Sequence, residues 1–286
     1  MRDSSEVIGL IAGSGRFPIL FAEEAKRLGR RVVAITLKGV TDARVADIVD
    51  EAHAFKLGQV SAPLKVLKKA GVKRVVMAGK VQHKSLFGGV LPDLRAVKLL
   101  AGLKDRRTDT ILAAIADEFA REGIELISSA THLSHLLSEP GVLSKRKPSK
   151  IESADIEFGW RAAKALAGFD IGQSVVVRGR AVVAVEAMEG TDATVLRAAE
   201  LARGEGTGKT GLVLVKVAKP RQDFRFDLPV LGLDTLDTLE RAGASALAFE
   251  ARRTLIFDKD AFLERADRLG LAVVAVEEKD GDRHDR

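Results

Sequence analysis

Residues 6–37 read EVIGLIAGSGRFPILFAEEAKRLGRRVVAITL, and this stretch decides the fold class. A short apolar run at 6–12 is followed by an amphipathic stretch at 17–28 and a second apolar run at 31–37. Short runs rich in Val and Ile predict strands, and the amphipathic stretch predicts a helix. The chain therefore begins β-α-β, which indicates parallel strands with helices on the faces of the sheet.

The alternation continues further along the chain. The sequence predicts a helix over 59–70, a strand over 73–78, helices over 92–103 and 108–121, and a strand over 124–128. Gly71 and Gly79 stand where a helix C-cap and a strand-end turn use glycine. We predict an α/β fold with a Rossmann-like, mostly parallel N-terminal domain over residues 1–135.

A change of composition marks the end of that domain. Residues 138–150 contain two prolines, a glycine and four basic residues, so we predict a linker over 136–150. Residues 151–286 then predict a mixed α/β domain that opens with a hairpin around 178–180. Its elements are helices over 155–167, 194–201, 234–242 and 260–269, and strands over 174–177, 181–187, 212–217, 246–249, 255–257 and 271–276.

Composition restricts the classes of protein to consider. The 286 residues are 46% hydrophobic and 30% charged, which is typical of a folded, soluble protein. No apolar run reaches the roughly 18 to 20 residues that a membrane span needs, and we expect neither export nor a span. The absence of cysteine excludes disulfides, thiolate catalysis and Cys-ligated metals, and it favours the cytoplasm.

The charge balance indicates an anionic partner. Lys and Arg number 46 against 40 Asp and Glu, a formal charge of +6. Because the chain has no Tyr and one Trp, it offers little stacking surface for single-stranded nucleic acid. We therefore expect no nucleic-acid partner, which leaves an anionic membrane surface or a phosphorylated small molecule.

Gly13-Ser14-Gly15-Arg16-Phe17-Pro18 follows the first predicted strand and opens the first predicted helix. Backbone N–H groups and a helix dipole at such a turn can hold a phosphate. The pattern departs from the dinucleotide fingerprint, and no acidic residue ends the second strand, so NAD is not expected. The alternative is a glycine turn that only allows strand and helix to pack closely.

Two further patterns fail as functional motifs. Residues 204–210, GEGTGKT, resemble the end of a P-loop, but they connect a predicted helix to a predicted strand, the reverse of the P-loop order. His132 and His135 have a helical spacing, yet two ligands do not make a zinc site. We interpret these histidines as surface or helix-end residues.

The densest charged segment follows the strand predicted at 212–217. Within residues 216–227 lie four cations and two carboxylates, with prolines at 220 and 229. Cations there can neutralise phosphoryl oxygens, and a carboxylate can bind Mg²⁺ or orient a water, which are the main requirements of phosphoryl transfer. A solvated charged loop is the alternative. Likewise, Thr191 or Asp192 in the segment 186–192 can simply cap the helix that follows.

Six blocks of sequence together resemble one family, the UDP-2,3-diacylglucosamine pyrophosphatases of the LpxI type. The blocks are GLIAGSG at 9–15 with Pro18, AGKV at 78–81, DTILAAIADEFAREG at 109–123, DIGQ at 170–173, AVEAMEGTDA at 184–193 and the segment 215–229. Each block alone is weakly specific, whereas their order and spacing over nearly the whole chain are strongly specific.

The resemblance implies a two-domain homodimer of lipid A biosynthesis that binds a lipid-linked sugar nucleotide between its domains. It implies metal-dependent hydrolysis of UDP-2,3-diacylglucosamine to UMP and 2,3-diacylglucosamine 1-phosphate (lipid X). The critical carboxylate of the family's Asp-Leu-Pro motif corresponds to Asp227, to which we assign catalysis and binding of Mg²⁺ or another divalent cation. Peripheral contact with the inner membrane surface suits such a substrate.

Other site residues follow from the same motif positions. We expect Lys216 and Lys219 to act in catalysis by meeting phosphate charge. The expected substrate contacts are Gly13, Ser14, Gly15, Gly79, Gln173, Thr191, Asp192, Gln222 and Arg225. The chain departs from the family after Gly79, where Lys80 stands in place of an expected Asn. A sugar-nucleotide transferase and a non-catalytic phospholipid- or nucleotide-binding protein are the alternatives.

Overall fold

The computed structural model describes residues 6–81, 92–103, 108–203, 210–220, 223–226 and 228–277. It divides into two compact units. Unit 1 contains the described residues of 1–133 and 223–227, and unit 2 contains those of 134–222 and 228–286. Among the described helices, none combines the length and the apolar character that crossing a membrane requires.

The sheet of unit 1 has five parallel strands in the order β3-β2-β1-β4-β5. The strands are β1 (Val7–Ala12), β2 (Arg31–Leu37), β3 (Glu51–Phe55), β4 (Arg74–Ala78) and β5 (Glu125–Leu126). The order reverses between β1 and β4, which is the arrangement of a Rossmann-like sheet. This confirms the parallel α/β fold expected for the N-terminal half.

Five described helices accompany this sheet: α1 (Phe17–Arg27), α2 (Arg44–Ile48), α3 (Ser61–Lys69), α4 (Leu94–Ala101) and α5 (Thr108–Arg121). Helix α2 and strand β3 were not predicted from the sequence. Strand β3 lies at the edge of the sheet and no residue in it is fully buried, so the apolar run that marks a central strand is absent. Helix α2 spans only five residues, too few for a periodic pattern.

Unit 2 contains a mixed six-stranded sheet in the order β6-β13-β11-β9-β7-β8. Its strands are β6 (Gly141–Val142), β7 (Ser174–Arg178), β8 (Ala181–Val185), β9 (Val213–Lys216), β11 (Ala246–Glu250) and β13 (Ala272–Val276). Strands β9, β11 and β13 run parallel, whereas β6, β7 and β8 pair antiparallel. A separate parallel pair joins β10 (Val230–Leu231) and β12 (Leu255–Ile256). The mixed α/β prediction is confirmed.

Helices cover both faces of the unit 2 sheet. Helices α7 (Thr191–Arg203), α8 (Leu233–Ala242) and α9 (Lys259–Leu269) pack on one face, and α6 (Lys150–Gly168) packs on the other. At Gly159 of α6, a Cβ atom would lie 2.7 Å from the side chain of Val215. The absence of a side chain at Gly159 thus lets α6 approach the central strand β9 closely.

The predicted hairpin joins β7 to β8. Gly179 and Arg180 have φ values of +59° and +56°, as a two-residue type I′ turn requires. Both N–H groups donate to the carboxylate of Asp155 on α6. A helix residue therefore satisfies the turn's backbone donors and anchors the hairpin to α6.

The segment predicted as a linker, 136–150, is instead integrated into unit 2. Strand β6 pairs antiparallel with β13, and the Arg146 guanidinium donates to the Glu152 carboxylate at 2.7 Å and to the Gly270 carbonyl at 2.6 Å. Ser149 and Glu152 form the capping box of α6. Proline, glycine and basic residues favour an exposed segment, but exposure does not prevent a segment from pairing with a sheet edge.

Candidate functional site

Backbone hydrogen bonds tie the glycine turn after β1 to the loop after β4. The Gly13 N–H donates to the carbonyl of Ala78 at 2.8 Å. Ser14 and Lys80 exchange backbone hydrogen bonds of 2.8 and 3.0 Å, and the Ser14 hydroxyl donates to the Lys80 carbonyl at 2.8 Å. Both loops leave the carboxyl ends of neighbouring strands at the reversal of strand order, where ligands of open α/β sheets commonly bind.

Gly13 and Gly79 make this approach sterically feasible. A Cβ on Gly13 would lie 2.8 Å from the Lys80 carbonyl oxygen, and a Cβ on Gly79 would lie 2.6 Å from that of Ser14. Gly79 also has a φ of +93°, which L-residues rarely adopt. Both glycines therefore serve the close packing that was the alternative to ligand contact, and the Gly13 and Ser14 N–H groups already have carbonyl acceptors.

Gly15 differs from the other two residues of the turn. It is exposed, has a φ of +88°, and has open space where a Cβ would project. Helix α1 begins two residues later, with Pro18 in its first turn as predicted. Within this turn, Gly15 is thus the residue best placed to meet a ligand.

Unit 2 brings together Glu186, Thr191 and Lys216, which span 30 positions of the sequence. Lys216 ends β9 and is only 8% exposed. Its Nζ donates to the Thr191 hydroxyl at 3.3 Å and to the Val230 carbonyl at 3.2 Å. The Thr191 hydroxyl donates to Oε1 of Glu186 at 3.0 Å. A hydrogen-bonded chain therefore runs from a buried ammonium through a hydroxyl to a buried carboxylate.

Gln173 is held beside the same cluster. Its backbone carbonyl accepts the N–H of Val217, the residue after Lys216, at 2.8 Å. The neighbouring Ser174 carbonyl accepts the Glu186 N–H at 2.9 Å. Of the predicted site residues, unit 2 thus groups Gln173, Thr191 and Lys216.

The other two predicted site residues of unit 2 that the structure describes, Lys219 and Asp192, are more exposed than Lys216. Lys219 forms an ion pair with Asp170, whose carboxylate lies 2.5 Å from the lysine Nζ. Asp192 is exposed in the first turn of α7, where the helix dipole favours a negative charge. Stabilisation of the helix terminus, the alternative weighed for the 186–192 segment, therefore accounts for Asp192 without a ligand.

A buried ion pair supports the backbone that carries Lys216 and Lys219. The Lys164 ammonium of α6 lies 2.8 Å from both oxygens of Glu250, at the end of β11. Oε2 of Glu250 also accepts the N–H of Ala218 at 2.8 Å. The carboxylate thereby fixes the turn between the two predicted catalytic lysines.

Arg225 belongs to unit 1, where it pairs with Asp223 at 2.6 Å and lies 5.0 Å from the centre of the Phe226 ring. Hydrogen bonds from the Arg225 side chain hold the pKa of Asp223 below its ordinary value, although burial opposes this. The same hydrogen bond raises the pKa of Arg225, against the effect of burial and with help from the charges of Asp223 and Asp117. Arg225 is thus a cation whose charge is already matched within the segment.

Two family models match this chain in tandem. The LpxI N-terminal domain matches residues 7–136, and the LpxI C-terminal domain matches residues 139–274. The chain belongs to the LpxI family. It is 34% identical over 281 residues to the UDP-2,3-diacylglucosamine pyrophosphatase LpxI of Caulobacter vibrioides, an alignment that covers 94% of this chain and 97% of that relative.

Solved structures give much weaker likenesses than the LpxI relative. The biotin carboxylase subunit of pyruvate carboxylase is 15% identical, with a TM-score of 0.25 over 72% of this chain and 43% of that chain. The biotin carboxylase domain of Hydrogenobacter thermophilus 2-oxoglutarate carboxylase is also 15% identical, with a TM-score of 0.26 over 69% and 41%. The chain spans less than half of either protein, and neither likeness informs the function of an LpxI protein.

Asp227 and Gln222, which the LpxI resemblance singles out, lie outside the described residues, as do residues 204–209 of the P-loop-like stretch. That stretch connects α7 to β9, which confirms the helix-to-strand order. The Thr210 hydroxyl donates to the Ala242 carbonyl at 2.9 Å.

His132 is half-buried, and the centre of its ring lies 5.8 Å from the centre of the Phe21 ring. Burial lowers the pKa of His132.

Glu186, Glu250 and Lys164 were not among the site residues predicted from the sequence. Glu186 and Glu250 each end or directly follow an apolar strand, and Glu186 lies inside the LpxI-like block 184–193. Lys164 interrupts the apolar face of α6 beside Trp160, whose ring centre lies 5.0 Å from the ammonium. An acidic residue at the end of an apolar strand was the available signal for Glu186 and Glu250, and a lysine on an apolar helix face was the signal for Lys164.

Proposed function

We propose that this chain is a UDP-2,3-diacylglucosamine pyrophosphatase, a hydrolase of lipid A biosynthesis. Water would add to one phosphorus of the substrate and the P–O–P bond would break, which releases UMP and 2,3-diacylglucosamine 1-phosphate. The 34% identity to the Caulobacter LpxI pyrophosphatase across 94% of this chain and 97% of that relative carries the proposal. Both LpxI domain models match as well, so the similarity extends over both halves.

The hydrogen-bonded cluster of Lys216, Thr191 and Val230 supports a reaction at a pyrophosphate. The ammonium is shielded from water and held by Thr191 and Val230, so its charge is oriented before a ligand arrives. A preorganised cation in a poorly solvated position stabilises developing negative charge more strongly than a solvated one. Lys216 thereby offsets charge on the phosphoryl oxygens, and we assign Lys219 the same role closer to the surface.

The glycine turn of unit 1 provides a narrower set of contacts than its sequence predicts. Because Gly13 and Ser14 are engaged with the loop after β4, which begins at Gly79, we assign ligand contact in this turn to Gly15. We retain Gln173, Gln222 and Arg225 as proposed substrate contacts. Asp227 is the proposed catalytic carboxylate, which orients the attacking water.

Mg²⁺ remains a proposal that rests on the resemblance and on Asp227. Among the residues that the structure describes, no three His, Cys, Asp or Glu side chains come together as a metal site. The described residues therefore provide no metal site built from three protein ligands, and the roles assigned above involve no metal. Proteins commonly hold Mg²⁺ through one or two carboxylates and the substrate phosphates. A bound Mg²⁺ would neutralise part of the phosphate charge. Activity with Mg²⁺ and with EDTA tests the proposal.

Homodimerisation and peripheral contact with the inner membrane surface are further proposals that follow from the resemblance. A cytoplasmic location is a proposal that follows from the absence of cysteine. A lipid-linked substrate would reside in that membrane, and the +6 formal charge suits an anionic surface. Light scattering of the purified protein measures the oligomeric state. Sedimentation with anionic and with neutral vesicles tests the membrane contact. We expect the protein to sediment with the anionic vesicles only.

The deciding experiment incubates the purified protein with UDP-2,3-diacylglucosamine and follows the products by mass spectrometry. We expect UMP and the diacylglucosamine phosphate from the wild type, and a loss of roughly 1,000-fold or more in Asp227→Ala. Asp234→Ala, which removes an exposed aspartate of α8, is the matched control. Intact substrate with the wild type would refute the hydrolase, and a product other than UMP would favour a transferase.

A further inference from the structure

Glu186, Thr191 and Lys216 form a hydrogen-bonded chain whose direction follows from their chemistry. An ammonium only donates and a carboxylate only accepts, so Lys216 donates to the Thr191 oxygen at 3.3 Å and Thr191 donates to Oε1 of Glu186 at 3.0 Å. The single hydroxyl proton of Thr191 is thereby directed at Glu186. This arrangement makes Thr191 a link between two charged groups rather than a donor to the substrate.

The carboxylate of Glu186 is held in a buried and rigid position. Glu186 is only 9% exposed, and its N–H donates to the Ser174 carbonyl at 2.9 Å. A Cβ on Gly172 would lie 2.0 Å from the Glu186 carbonyl oxygen, so only glycine permits this backbone approach. Support of this kind fixes the geometry of a functional side chain.

Glu186 is not explained by ordinary structural requirements. Its second oxygen, Oε2, is buried and has no hydrogen-bond partner in the described part of the chain. Buried polar groups that serve only packing are normally satisfied, because an unsatisfied acceptor destabilises the fold. A neutral residue at this position would avoid that penalty, which indicates that the negative charge itself has a use.

We propose that Glu186 is a positioning residue for the hydrolysis proposed above, on which this inference rests. Through Thr191 it holds the Lys216 ammonium at the carboxyl end of β9, directed to where negative charge develops on the pyrophosphate. Val230 supplies a second acceptor for the ammonium from a different segment. The proposal assigns Thr191 to this chain instead of to direct substrate contact.

The test compares kcat and KM for Glu186→Gln, Thr191→Val and Thr191→Ser with those of the wild type, with UMP release as the readout. Glu186→Gln removes the charge and keeps the shape, and Thr191→Val removes the hydroxyl and keeps the volume. We expect each to lower kcat by roughly 10- to 100-fold with KM within about 3-fold of the wild type. Thr191→Ser retains the hydroxyl and should restore kcat to within about 3-fold.

The double variant Glu186→Gln/Thr191→Val provides a second criterion. Because both changes break the same chain, their effects on kcat should not multiply, and the double variant should resemble the worse single variant. Glu189→Gln is the matched control, since Glu189 is an exposed carboxylate in the same loop that pairs with Arg197. Its kcat and KM should match those of the wild type.

Specific outcomes would overturn the proposal. A Thr191→Val enzyme with normal kcat and raised KM would make Thr191 a substrate contact, and failure of Thr191→Ser to rescue would exclude the hydroxyl chain. Thermal melting identifies a variant that does not fold. If Glu186→Gln is unstable, the comparison of Thr191→Val with Thr191→Ser still tests the proposal. An active wild type beside unimpaired variants refutes this inference alone, whereas no UMP from the wild type refutes the proposed function as well.

Discussion

The carboxylate of Glu250 accepts the backbone N–H of Ala218 at 2.8 Å while it forms a buried ion pair with Lys164. Glu250 ends β11 and Ala218 follows β9, so the contact joins the carboxyl ends of two adjacent parallel strands. Lys164 reaches this point from α6. The turn between Lys216 and Lys219 is thus held by a charged group that is itself neutralised in the interior.

Breaking this ion pair on one side should destabilise the protein strongly. Lys164→Met leaves the Glu250 charge buried with fewer partners, and Glu250→Gln removes the carboxylate whose two oxygens Lys164 contacts, so we expect each to lower the free energy of unfolding by roughly 3 kcal/mol. The double variant Lys164→Met/Glu250→Gln should recover part of that loss. Urea unfolding measures all three, and single-variant losses below about 1 kcal/mol would contradict a buried, coupled pair.

Gly13→Ala and Gly79→Ala should both destabilise unit 1. Each added Cβ meets backbone atoms within 2.9 Å, so the two loops must separate, and we expect a loss of roughly 2 kcal/mol or more. Gly102→Ala is the control, because its Cβ would have no neighbour closer than 3.6 Å. Thermal melts compare the three variants. Equal melting temperatures for Gly79→Ala and Gly102→Ala would show that the loop contact does not require glycine.

Acid should weaken the packing of the 136–150 segment through Glu152. Although burial opposes it, the Arg146 side chain lowers the pKa of Glu152 from 4.5 to about 2. A depressed folded-state pKa contributes stability that is present above pH 4.5 and is lost as the pH falls toward 2. We expect Glu152→Gln to lower the free energy of unfolding at pH 7 by on the order of 2 kcal/mol, and by much less near pH 2.

Denaturant unfolding of the wild type and Glu152→Gln at several pH values measures that difference. The exposed Glu157 of the same helix gives the control Glu157→Gln, which should follow the wild type throughout. A Glu152→Gln difference that stays constant between pH 7 and pH 3 would show that the ionised carboxylate is not the source of the stability.

Gly172→Ala should disturb the hydrogen bonds that link Glu186, Thr191 and Lys216 without changing any of these side chains. The added Cβ would lie 2.0 Å from the Glu186 carbonyl oxygen, so the backbone that carries the carboxylate must move. We expect kcat to fall by roughly 10-fold or more, together with a lower melting temperature. Gly168→Ala is the control, because a Cβ added at this end of α6 would have no neighbouring atom within 4 Å. It should leave kcat and the melting temperature unchanged. Normal kcat in a folded Gly172→Ala protein would refute the positional requirement.

Local sequence predicted most helices and strands, but not those that lie at a sheet edge among polar residues. Periodicity located β1, α1, β2 and the hairpin at 178–180, because each depends on a pattern within a few residues. It missed β3, whose half-buried residues at a sheet edge lack an apolar run. It also misinterpreted the 136–150 segment, because pairing of β6 with β13 depends on a strand more than 100 residues away.

The candidate site was predictable as a set of motif positions rather than as an arrangement. Sequence alone identified Gln173, Thr191 and Lys216, but it provided no reason for them to meet. They meet because β9 pairs with β7, which brings the segments around 173 and 216 together, and α7 starts next to this edge. Glu186 escaped selection because its significance lies in its burial and in its hydrogen bond to Thr191.

The amino-acid sequence by itself determined the α/β class, the helix-to-strand order that excludes a P-loop, and membership of the LpxI family. These properties depend on local periodicity and on the order of motifs along the chain. Only the tertiary structure showed which atoms Gly13, Gly79 and Thr191 contact. A steric limit at a glycine and the direction of a hydroxyl proton are set by atoms of residues distant in sequence, so they exist only once the strands have paired and the loops have met.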